Sequence, residues 1–137
     1  MSTPASSSSD CTQSLNSIGW NELITPDPAS AIRFYGALFG WTTEPFKAGP
    51  IPYTLFKQGD RSFGGVMAPP KPGIPPHWLN YVTVADLDAA FAKATSLGAT
   101  VCLPPMDIGE AGRIAVLQDP QGAGFGLHQP PAQAPAK

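Results

Sequence analysis

The apolar positions along the chain change their period in an order that occurs twice. Trp20–Thr25 (WNELIT) reads as a mostly apolar strand interrupted by one carboxylate, Glu22. It runs into Pro26-Asp27-Pro28, a helix entry in which Asp27 can accept from the first free backbone N–H groups and Pro28 forfeits no hydrogen bond. The spacing predicts a helix over roughly Ala29–Phe39, with Ala31, Phe34, Tyr35 and Leu38 as its apolar face and Gly40 as its left-handed stop. Three short strands follow at Trp41–Phe46, Tyr53–Phe56 and Ser62–Met67, with turns at Gly49-Pro50 and Gly59-Asp60.

The second half repeats this order. Leu79–Val84 (LNYVTV) leads to Asp86 as cap, and the helix after it places Leu87, Ala90, Phe91, Ala94 and Leu97 on one face before Gly98. Strands are predicted at Thr100–Leu103, Arg113–Leu117 and Ala123–His128, with turns at Pro104-Pro105 and Asp119-Pro120-Gln121-Gly122. Aligning Asp27 with Asp86 superposes the two strand–cap–helix units without a gap, and such a repeat outweighs any single motif. The fold class expected is α+β, two tandem βαβββ modules. Module one is assigned to residues 17–69 and module two to 77–130, with a linker at 70–76 inside the Pro-rich stretch Met67–Pro76. Residues 1–16 form a polar tail and 131–137 a Pro/Ala-rich one, neither apolar enough to fold alone.

Composition narrows the functions open to such a chain. With 137 residues and 42% hydrophobic content it suits one globular domain. A net charge of −2 with scattered Lys and Arg gives no basic footprint for nucleic acid. No apolar run approaches the roughly 20 residues that span a bilayer, so no membrane partner is expected. The Ser-rich start lacks a cationic and apolar signal, and Cys11 and Cys102 read as two unrelated reduced thiols. A cytoplasmic location is the expectation.

Three stretches carry a family resemblance: Trp-x-Glu-Leu-x-Thr-x-Asp-Pro…Phe-Tyr-Gly-x-Leu-Phe-Gly-Trp (20–41), Val-x-Asp-Leu-Asp-Ala-Ala…Leu-Gly-Ala (84–99), and Gly-Arg-Ile-Ala-Val-Leu-Gln-Asp-Pro-Gln-Gly (112–122). In order and spacing the chain resembles the vicinal oxygen chelate superfamily of glyoxalases, bleomycin resistance proteins and extradiol dioxygenases. The resemblance implies an open eight-stranded mixed-sheet cup with helices outside, a small organic molecule in the cup, and a homodimer. Many members hold the ligand on a divalent metal; others sequester drugs without one, so the fold does not choose the function. The positions where the family carries its metal ligands hold Trp20, Gly65, Leu79 and Gly126 here, none with a lone pair suited to a divalent ion. No metal and no cofactor are therefore expected.

If the resemblance holds, strand alternation turns Trp20, Glu22, Tyr81 and His128 into the cup. Glu22 is the candidate general base or ligand anchor, its pKa raised by burial; the bland alternative pairs it with Arg33, Arg113 or a backbone donor. His128 could shuttle protons with Glu22 or be a strand-end residue. Trp20, Met67 and Tyr81 are expected to supply ligand-contacting wall, and His77 to belong to the linker. The function expected is binding of a small organic ligand in a metal-free cup. The alternatives are a glyoxalase-type lyase or isomerase using Glu22 as general base, with or without a non-standard metal site from Glu22, Tyr81 and His128, with a dioxygenase less favoured, or a scaffold whose cup is filled by its own side chains.

Overall fold

The computed structural model describes residues 14–48 and 51–131. Its first module comprises strand β1 (Ile18–Ile24), helix α1 (Pro28–Phe39), and strands β2 (Thr42–Ala48), β3 (Ile51–Gln58) and β4 (Arg61–Met67). The second repeats the order: β5 (His77–Thr83), α2 (Leu87–Ser96), β6 (Thr100–Asp107), β7 (Arg113–Gln118) and β8 (Gly124–Gln129). All eight strands form one open sheet in the order β2-β3-β4-β1-β5-β8-β7-β6. Within each module the first strand runs parallel to the last, β1 with β4 and β5 with β8. The modules meet where β1 and β5 pair antiparallel, so residues from both halves line the sheet centre.

Local chemistry explains the helix starts. The Asp27 carboxylate accepts from the Ser30 N–H and the Asp86 carboxylate from the Ala89 N–H, both at 3.1 Å. Asp86→Ala is expected to cost about 1 kcal/mol of unfolding free energy, read by denaturant titration. Gly40, with φ of 78°, ends α1 in the left-handed conformation that glycine adopts without strain.

The face that α1 presents to the sheet differs from the one expected. Ala31, Ile32 and Tyr35 pack on Leu23, Phe56 and Val66, whereas Phe34 and Leu38 are 58% and 57% exposed. The stripe is rotated because Tyr35 is drawn into an aromatic cluster with Trp41, Phe56 and Trp78, ring centroids 5.5–6.1 Å away. Under α2, Ala90, Phe91 and Ala94 pack on Leu87, Ala115, Leu117 and Leu127, while Leu97, past the helix end, stays exposed.

Three further differences lie in the loops. Pro104 and Pro105, expected to turn, sit inside β6, an edge strand whose register shifts between Leu103 and Met106. An edge strand tolerates proline because one side of it needs no ladder N–H. His77, expected in the linker, opens β5, while the expected Gly49-Pro50 turn lies outside the described residues. A third cluster, Ile24, Leu79 and Tyr81 with Trp20, Met67, Ile114 and Val116 against it, forms on the face opposite the helices. That face is the inside of the cup.

Candidate functional site

Glu22 lies mid-sheet on β1, opposite Gly65 of β4 on one side and Leu79 of β5 on the other. It is 7% exposed, and a carboxylate so buried is costly unless it is hydrogen-bonded. Two tyrosines supply the bonds. The Tyr53 hydroxyl donates to Glu22 Oε1 at 3.0 Å and the Tyr81 hydroxyl to Oε2 at 3.1 Å. The Trp20 indole N–H in turn donates to the Tyr53 oxygen at 3.0 Å. An indole can only donate, so the Tyr53 proton is committed to Glu22.

Two glycines make room for this arrangement. Tyr81 stands directly beside Gly126 in the parallel β5–β8 register, and a Cβ on Gly126 would clash with the Tyr81 ring. Tyr53 lies two residues along β3 from Leu55, the partner of Gly65, and a Cβ on Gly65 would meet its hydroxyl and ring. The donor set at the family's metal positions thus does not fit a divalent ion. An indole, an alkyl side chain and two glycines stand there, and tyrosine rings fill the volume a carboxylate at 65 or 126 would need.

The electrostatics follow from burial. Desolvation pushes the Glu22 carboxyl up from its ordinary range, against the tyrosine hydrogen bonds and the charge of His77, which pull it down. Burial first and the Glu22 charge second hold Tyr53 and Tyr81 protonated well beyond the ordinary phenol range. Neither arginine considered from the sequence meets Glu22 among the described contacts. Arg113 forms a two-pronged, exposed pair with Asp88 at 2.9 and 3.2 Å.

Trp20, Glu22 and Tyr81 are thus brought together, and Met67 joins them in the inner apolar cluster. His128 is placed differently: its Nε2 lies 2.7 Å from the Ala111 carbonyl, and among the described residues no hydrogen bond joins it to Glu22. A carbonyl only accepts, so Nε2 carries a proton, and Nδ1 has no bond among the described contacts. Tyr53 was not singled out in the sequence. The signal for it was Gly65, a missing side chain on the cup face that only a bulky neighbour can compensate. A cavity of about 290 Å³, bordered by Pro28, Pro52, Thr54, Val66, Met67 and Ala68, opens beside Met67 rather than over Glu22.

The repeated βαβββ order and the cup define a known class: the chain belongs to the glyoxalase/bleomycin resistance protein/dioxygenase superfamily, whose model matches residues 15–127. Among curated proteins it is 46% identical over 115 residues to a Mycobacterium bovis protein named as a glyoxylase, CFP32, covering 83% of this chain and 44% of that one. It is 33% identical over 123 residues to the anthracycline biosynthesis protein DauV of a Streptomyces species, covering 79% and 45%. The chain therefore spans a little under half the length of these relatives. Among solved structures, methylmalonyl-CoA epimerase of Mycobacterium tuberculosis superposes with a TM-score of 0.64 at 16% identity, covering 91% of this chain and 96% of that one. The Streptomyces coelicolor epimerase in complex with 2-nitronate-propionyl-CoA gives 0.61 at 20% identity, covering 87% and 100%. At these identities the likeness is one of fold.

Proposed function

We propose that this chain binds a small organic molecule in its cup without a metal, using Glu22 as the polar anchor and Trp20, Met67 and Tyr81 as walls. The observation that carries the reading is a buried carboxylate held by two hydroxyls, with no cationic side chain bonded to it among the described residues. A structural ion pair would neutralise the charge inside the fold, and none forms with Glu22 among the described residues. His128, through Nδ1, is proposed as a second acceptor at the cup wall.

Glu22→Gln tests the anchor. Losing a charge-assisted hydrogen bond to the ligand costs about 1.5–3 kcal/mol, roughly ten- to a hundredfold in dissociation constant by calorimetry. An unchanged affinity for a ligand found by thermal-shift screening rejects the role.

A second reading, a glyoxalase-type lyase or isomerase with Glu22 as general base, is favoured by burial raising its carboxyl toward the range where a base works near neutral pH. Turnover of a methylglyoxal–thiol hemithioacetal that disappears in Glu22→Gln would support it.

The proposal includes a homodimer. Phe34, Leu38 and Phe39 of α1 and Trp78 of β5 are 38–58% exposed and leave an apolar surface on the helix side. Sedimentation at micromolar concentration is expected to give a dimer, and monomer alone would reject it. A cytoplasmic location is also proposed, resting on the exposed, unpaired Cys102. Among the described residues no helix is long and apolar enough to cross a membrane.

A further inference from the structure

Hydrogen-bond accounting at the cup centre limits what the site can recognise. With Glu22 ionised, its three side-chain donors among the described residues are the Trp20 N–H and the Tyr53 and Tyr81 hydroxyls. The first is given to Tyr53, and the other two are given to Glu22. What remains is acceptor capacity: further lone pairs on both Glu22 oxygens and on the two tyrosine oxygens. His77 Nδ1 lies 2.8 Å from the Pro75 carbonyl and His128 Nε2 lies 2.7 Å from the Ala111 carbonyl, so each spends a ring proton on backbone. Around these groups the wall is apolar, formed by Ile24, Met67, Leu79 and the Trp20 ring.

We infer that the site takes ligands that arrive as hydrogen-bond donors on an apolar or aromatic body, amines foremost and alcohols second, and that it rejects carboxylates and other anions. The inference rests on the small-molecule reading proposed above and names the ligand class for that same site. A primary ammonium brings three donors and the charge opposite to Glu22. A carboxylate brings only acceptors and a like charge, and each donor it could use must first be withdrawn from Glu22. The two glycines matter to the selectivity because they seat the tyrosines. With side chains at 65 and 126 neither ring would fit, and Glu22 would lose the hydroxyls that consume the donors.

Three probes of similar size separate the classes: phenethylamine, 2-phenylethanol and phenylacetate, titrated calorimetrically into the full chain. Phenethylamine is expected to bind at least tenfold more tightly than phenylacetate, with 2-phenylethanol between them. In Glu22→Gln the gap is expected to close to within about threefold, since a neutral amide neither attracts the cation nor repels the anion. The wild-type ranking does not depend on the variant folding. Phenylacetate binding as tightly as the amine, or a gap that persists in a folded Glu22→Gln, overturns the donor class. If phenylacetate then binds and Tyr81→Phe weakens it, the small-molecule reading survives. Binding of none of the three at millimolar concentration overturns both.

Discussion

Gly126→Ala is expected to destabilise the protein by about 3 kcal/mol, the upper part of the range for overpacking a filled interior. The added methyl would clash with the Tyr81 ring, directly beside it in the β5–β8 register. Tyr81 is 4% exposed and tied to Glu22, so the ring cannot turn aside without breaking the bond that holds the carboxylate. The backbone on either side belongs to central strands of the sheet and cannot retreat either. Urea titration of the variant reads the loss. Combining Gly126→Ala with Tyr81→Ala removes the overlap, so the double variant should be more stable than the two single losses added together by 1 kcal/mol or more. Additive losses would mean the two residues do not share space.

Tyr81→Phe is expected to cost more at alkaline pH than at pH 4, below the carboxyl's ordinary value of 4.5, a comparison that isolates the carboxylate's charge. Burial raises the Glu22 carboxyl above its ordinary value of 4.5, so above that pH the folded chain holds a proton the unfolded chain has released. Its stabilising contribution is complete below the unfolded value and is lost as pH rises through the folded one. The groups facing Glu22 are Tyr53 from β3 and Tyr81 and His77 from β5. Where Glu22 is ionised, removing the Tyr81 hydroxyl withdraws a hydrogen bond to a charge, about 1.5–3 kcal/mol. Where it is protonated the bond is between neutral groups, about 0.5–1.5 kcal/mol. Removing the hydroxyl also raises the carboxyl further, so the variant sheds stability with rising pH faster than the wild type. Urea titrations from pH 4 upward check this; a loss that stays constant over the whole range would mean that Tyr81 does not bond an ionised Glu22.

The repeat was legible because its punctuation is local. An aspartate before each helix and a glycine after it are read within a few residues, and both aspartates do accept from the third residue beyond. The helix face was less legible. Four apolar residues on α1 fit two overlapping stripes, and the choice between them depends on Trp41, Phe56 and Trp78, which come from other strands. At the site, Glu22 and Tyr81 were reachable from strand alternation once the family resemblance said which face lines the cup. Tyr53 was not, because its place beside Glu22 depends on the β3–β4 register and on the space left at Gly65, neither of which is local in sequence.

The prolines of the outer strands bear on how copies of the chain can meet. The sheet ends in β2 and β6, and each carries proline within its span, Pro45 in one and Pro104-Pro105 in the other. A strand from a second chain that tried to extend the sheet would find backbone donors missing there, and on β6 a register already shifted. Runaway edge-to-edge growth is blocked at both borders by covalent structure rather than by charge. The dimer proposed above would use the helix-bearing side instead, where Phe34, Leu38 and Phe39 are exposed.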